Sequence, residues 1–205
     1  MLGRLYVILD DAYLSPERTP EVARQVIEGG ADLIQLRAKR WDIPTLKAVA
    51  DEVFALTRRA GIPLIINDHV EVASNYDGVH IGEEDTPYAV AREILGEKRI
   101  VGVSCYDSLE RALRLQEEGA QYVAFSSPYP SPTKPDKRFA PLDLIAEAAR
   151  RLRIPFYVIG GIDVERAAEL RRAGAYGIAV VSAVLLASDP REATRRLRNA
   201  IYGSP

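Results

Sequence analysis

The chain has 205 residues, 47% hydrophobic and 27% charged, with a formal net charge of -2. This length fits one α/β domain over 1–205, since eight-stranded (β/α)8 barrels start at roughly 200 residues, and the small net charge excludes a general attraction to nucleic acid or anionic membranes. A lone cysteine, Cys105, excludes an internal disulfide, and without a leader pattern or an apolar run of ~20 residues the chain reads as cytoplasmic, a homo-oligomer being left open.

Short apolar runs alternate with amphipathic stretches. Strands are predicted at Leu5–Asp10, Leu33–Arg37, Pro63–Asn67, Gly78–Ile81, Ile100–Cys105, Tyr122–Ser126, Pro155–Ile159 and Gly177–Val181, with helices between them such as Pro44–Arg59 and Ser108–Glu118. Pro44, Pro87, Pro141 and Pro190 fall near helix starts, and Gly61, Gly96, Gly119 and Gly174 near helix ends. The pattern GGADLIQLR, RAGIPLIIND, EEGAQYVAFS and RAGAYGIAVVS repeats a helix end, a turn and a strand. Apolar runs without strict alternation suit parallel strands covered on both faces. Many β–α units in a short chain point to a closed barrel, with a doubly wound open sheet as the alternative.

Barrel enzymes carry their chemistry at the C-terminal strand ends, so polar residues there are weighed first. Gln35, Arg37 and Lys39 share parity at the end of the second strand, and an extended chain points all three one way. Asn67 and Asp68 end the third strand, and Asp85 follows the fourth. Two such carboxylates suit Mg²⁺, which takes one or two carboxylates plus waters and phosphates; on spacing alone, helix capping fits them at least as well. Ser104 ends the fifth strand without a nucleophile-elbow motif, and Cys105 reads as a small buried hydrophobe. Ser127–Ala140 is long for a routine turn, and its Ser131, Thr133 and Lys134 offer hydroxyls and a cation to an anion. Gly160 and Gly161 end the seventh strand; Val181 and Ser182 follow the eighth. Barrels often build a phosphate site from these two loops. His80 reads as an interior histidine, His69 as opening a helix, and there are too few candidates for a zinc cluster. Trp41 is left undecided between packing and covering the mouth.

IQLRAK, IINDHVEVA, DGVHIGEED, GVSCY, PSPTK, IGGI and AVVSAV, in this order from about Leu5 to Leu186, resemble the thiamine-phosphate synthase family. The resemblance implies a (β/α)8-barrel transferase of thiamine biosynthesis that uses Mg²⁺. It would condense hydroxymethylpyrimidine diphosphate with thiazole phosphate into thiamine phosphate and pyrophosphate, through a pyrimidinylmethyl cation. It further implies that Gln35, Arg37, Lys39, Asn67, Ser104 and Lys134 bind the pyrimidine diphosphate, with Arg37, Lys39, Ser104 and Lys134 catalytic. Asp68 and Asp85 would hold Mg²⁺, and Ser131, Pro132, Thr133, Gly161, Val181 and Ser182 would enclose the thiazole phosphate. The partners are thus small phosphorylated molecules. Glu83 replaces a usual glutamine, Ser131 a usual threonine, and Ser126-Ser127 a usual Gly-Pro. The alternatives are a thiazole tautomerase on the same barrel, whose histidine is Tyr106 here, and a silent binder of thiamine precursors.

Overall fold

Runs such as LYVILD and LIIN are buried at every position, as strands covered on both faces require. The computed structural model describes residues 2–129 and 138–203. Within it, β1 Leu5–Asp10, β2 Leu33–Arg37, β3 Leu64–Asn67, β4 Gly78–Ile81, β5 Ile100–Tyr106, β6 Tyr122–Ser126, β7 Phe156–Ile159 and β8 Gly177–Val180 pair in parallel in chain order. β8 returns to β1, with Tyr6 opposite Ala179, and closes the barrel. Closure rules out the open sheet. The expected strand limits hold to within a residue, the shifts falling at Pro63, Pro155, Tyr106 and Val181.

The helices are α1 Thr19–Glu28, α2 Ile43–Ala60, α3 Val70–Ala73, α4 Tyr88–Leu95, α5 Leu109–Glu117, α6 Leu142–Arg151, α7 Val164–Arg172, α8 Ser182–Leu185 and α9 Pro190–Tyr202. Asp42, Ser108, Asp163 and Asp189 cap α2, α5, α7 and α9, each side chain accepting the N–H three residues on. Such a cap contributes about 1 kcal/mol by satisfying an otherwise orphaned donor. Gly61 ends α2 with φ 69°, a left-handed conformation that glycine adopts without steric cost. Among the described residues no helix is long and apolar enough to cross a membrane.

Two cores result. The larger lies between strands and helices and includes Val7, Leu9, Ile34, Leu36, Ile66, Val103 and Phe125. The smaller fills the barrel interior with Tyr6, Ile8, Leu33, Ile65, Tyr122, Tyr157 and Ala179. Three tyrosines fit inside because glycines face them: a Cβ on Gly102 would sit 1.9 Å from Tyr122 Cζ, and one on Gly177 2.6 Å from the Tyr157 ring. The tyrosine rings meet edge to face at 5.2 to 5.8 Å, the arrangement aromatic quadrupoles favour. This plug forms the floor of everything above it.

Candidate active site

Above the floor, the C-terminal strand ends open onto a cavity of about 520 Å³. Every described candidate lines it: Gln35, Arg37, Lys39, Asn67, Asp68, Asp85, Ser104, Gly161, Val181 and Ser182. Ser131, Pro132, Thr133 and Lys134 lie outside the described residues.

On one side the shared parity of the second strand end holds, for Gln35, Arg37 and Lys39 all face the cavity. Arg37 Nη1 meets Asp10 Oδ2 at 2.9 Å, and Lys39 Nζ forms an ion pair with Asp68 Oδ2. Asp68 has φ 62°, uncommon for a residue with a side chain and concentrated at functional sites. Neither aspartate caps a helix: α3 starts from His69 and α4 from Pro87, while Asp85 Oδ2 accepts the Gly82 N–H at 2.7 Å. The capping reading is therefore corrected for both; His69 does open a helix, as expected.

The two carboxylates titrate as a pair. Burial and the neighbouring Asp85 raise the Asp68 pKa, against the opposing pull of Lys39. Burial would raise Asp85 as well, but hydrogen bonds from Asp68 and the Gly82 N–H hold it below its ordinary value. Carboxylates pressed together in this way need a proton or a cation between them. Asp68 Oδ2 is buried, accepts no aligned hydrogen bond among the described residues, and meets the Lys39 ammonium. Hard oxygen donors so placed fit a divalent cation that completes its shell with water and phosphate. Among the described residues no group of three or more His, Cys, Asp or Glu converges.

Across the cavity the Gly160–Gly161 turn is backbone, with φ of 115° and 59°. Ser127 Oγ donates to the Gly160 carbonyl, and Arg166 Nη1 donates to the Gly161 carbonyl at 2.5 Å. In a trans peptide the N–H points opposite to the C=O. Each fixed carbonyl therefore aims the following N–H, of Gly161 and of Ile162, the other way. Both residues line the cavity, so this turn has the makings of an anion cup.

Over residues 5–184 the sequence matches the family described as thiamine monophosphate synthase. The chain belongs to the thiamine monophosphate synthase family. The thiamine-phosphate synthase of Thioalkalivibrio sulfidiphilus is 43% identical over 198 residues, spanning 96% of this chain and 94% of that protein. That of Methylococcus capsulatus is 45% identical over 195 residues, 94% of this chain and 87% of the other. Thiamine phosphate pyrophosphorylase from Pyrococcus furiosus has the same architecture, with a TM-score of 0.88 and 36% identity over 97% of this chain and 95% of its own. Membership in the thiamine monophosphate synthase family makes the chain an enzyme, a transferase of thiamine biosynthesis.

Several partnerships around this cavity are not visible in the sequence. Asp10 is the partner of Arg37. Arg138 packs over the Tyr106 ring at 4.5 Å and pairs with Glu83, which Arg111 also approaches at 3.7 Å. The glutamate at this position thus answers two local arginines. Tyr6 and His80 line the cavity, Tyr122 packs beside Tyr6 in the barrel interior, and His80, whose pKa burial lowers to about 4, bridges Tyr122 and Ser104. Parity did carry a signal: Tyr6 alternates with Ile8 and Asp10 in β1, so the ring had to point into the barrel.

Proposed function

We propose that this cavity catalyses the Mg²⁺-dependent condensation of hydroxymethylpyrimidine diphosphate with thiazole phosphate, yielding thiamine phosphate and pyrophosphate. The chain acts as one catalytic (β/α)8 unit in the cytoplasm, on small phosphorylated substrates. The observation that carries the reading is the meeting of Lys39, Asp68 and Asp85 at one rim, with Arg37 beside them. A site that combines cations with metal-binding carboxylates suits a diphosphate leaving group.

In the reaction, the C–O bond between the pyrimidine methylene and the diphosphate breaks, and its electron pair leaves with pyrophosphate. The thiazole nitrogen then gives its lone pair to the resulting carbocation, forming the C–N bond. No proton is exchanged, so no general base is required. Arg37, Lys39 and Lys134 hold the departing oxygens, and Ser104 donates a hydrogen bond to them. Losing one such preorganised contact costs roughly 3–4 kcal/mol in the transition state. Asp68 and Asp85 hold Mg²⁺, which supplies positive charge to the diphosphate oxygens when bound. Gln35 and Asn67 orient the pyrimidine ring. Ser131, Pro132, Thr133, Gly161, Val181 and Ser182 enclose the thiazole phosphate and bring its nitrogen into line.

The test is incubation of the protein with both substrates, with Mg²⁺ and with a chelator. Thiamine phosphate and pyrophosphate in equal amounts, dependent on Mg²⁺, are expected. Absence of product with both substrates and Mg²⁺ present overturns the reading.

A further inference from the structure

Five side chains from five strands form an unbroken hydrogen-bonded line through the barrel interior. Gln35 Nε2 donates to Tyr6 Oη at 2.6 Å, and Tyr6 Oη lies 2.9 Å from Tyr122 Oη. Tyr122 Oη lies 3.0 Å from His80 Nδ1, and His80 Nε2 lies 2.9 Å from Ser104 Oγ. The line runs from β2 through β1, β6 and β4 to β5, where Ser104 faces the cavity.

Counting protons gives the line a direction. A phenol carries one proton, and a buried donor left unmatched costs about 1–3 kcal/mol. Tyr6 and Tyr122 are 1% and 0% exposed, so water does not take their protons. Tyr6 accepts from the Gln35 amide, and its own proton therefore goes to Tyr122. The Tyr122 proton then goes to His80 Nδ1, which leaves the neutral ring protonated on Nε2 and donating to Ser104. A hydroxyl that accepts from the ring keeps its own proton to give elsewhere. With the opposite polarity Ser104 would spend that proton on His80.

We propose that His80, fixed as its Nε2–H tautomer by the Tyr6–Tyr122 pair, is a positioning residue that commits the Ser104 hydroxyl to donating into the cavity. The recipient is an anionic oxygen of the substrate, an assignment that rests on reading this rim as the diphosphate site. His80 does not touch the reacting atoms; it acts through Ser104.

The first test needs no substrate. The chain has 2 histidines, His69 and His80, so nitrogen-15 imidazole spectra are simple to assign. The expected result is a neutral His80 protonated on Nε2 in the unaltered protein; protonation on Nδ1 overturns the proposal, whatever the enzyme's activity proves to be. The second test is a double-mutant cycle with both substrates. Tyr122→Phe is expected to lower kcat about tenfold while leaving the KM for the thiazole phosphate unchanged. In a Ser104→Ala background the same change is expected to cost nothing further, because its effect passes through that hydroxyl. Equal losses in both backgrounds would overturn the proposal. If Tyr122→Phe does not fold, His80→Leu, which removes the donor to Ser104, takes its place in the cycle, with the same expectation and the same overturning result.

Discussion

Asp10 Oδ2 lies 2.9 Å from Arg37 Nη1, joining the ends of adjacent strands in one ion pair at the cavity wall. The other oxygen, Oδ1, accepts the Ala12 N–H at 2.8 Å, which locks the carboxylate in place. A carboxylate tied on both oxygens is suited to aiming a guanidinium rather than to moving protons. Asp10→Asn keeps an acceptor for Ala12 and removes the charge. Steady-state kinetics should show kcat/KM for the pyrimidine diphosphate lowered about tenfold, ~1.4 kcal/mol. An unchanged kcat/KM would mean that Arg37 is aimed without Asp10.

The glycine turn opposite makes a separate prediction. Arg166 holds the Gly161 carbonyl and stacks over the Tyr129 ring at 4.9 Å. Arg166→Ala releases that peptide plane without removing any group from the cavity lining. KM for the thiazole phosphate should rise about five- to tenfold, ~1 kcal/mol, with kcat changed little. A fall in kcat with KM constant would contradict the positioning role.

Cys105 provides a pH test independent of catalysis. Burial pushes its thiol up to about 12, against the pull of Arg111. In the unfolded chain the thiol titrates near about 8.5. Between these values the unfolded state gives up a proton that the folded state keeps, so stability falls as pH rises through the window and is fully present below it. From pH 7 to pH 10 the parent should lose on the order of 2 kcal/mol relative to Cys105→Ala, as read from denaturant unfolding. A difference constant with pH would show that the thiol is not held in its protonated form.

How far the sequence foretold this site depends on what each residue's neighbours are. Strand positions follow from apolar runs bounded by glycine and proline, and parity puts Gln35, Arg37 and Lys39 on one wall. Asp68 and Asp85 are different. Spacing alone fits a helix cap or a metal site, and what removes the cap is the start of α3 and α4 at His69 and Pro87, with the Gly82 N–H taking Asp85 Oδ2. The Tyr6–Tyr122 contact joins residues 116 positions apart, and no local pattern encodes such a pairing. Nor does composition show that Gly102 is small so that Tyr122 can lie across it.

The most direct test of the account is the Mg²⁺ dependence of turnover in the parent and in Asp85→Asn. This substitution keeps an oxygen for the Gly82 N–H and removes the charge that faces Asp68. With both substrates saturating, turnover should fall about a hundredfold or more at low Mg²⁺, ~3 kcal/mol, with the activation curve displaced to much higher Mg²⁺ at unchanged thermal stability. Activation curves that superimpose for the two proteins would contradict it, since the paired carboxylates would then not be what holds the metal.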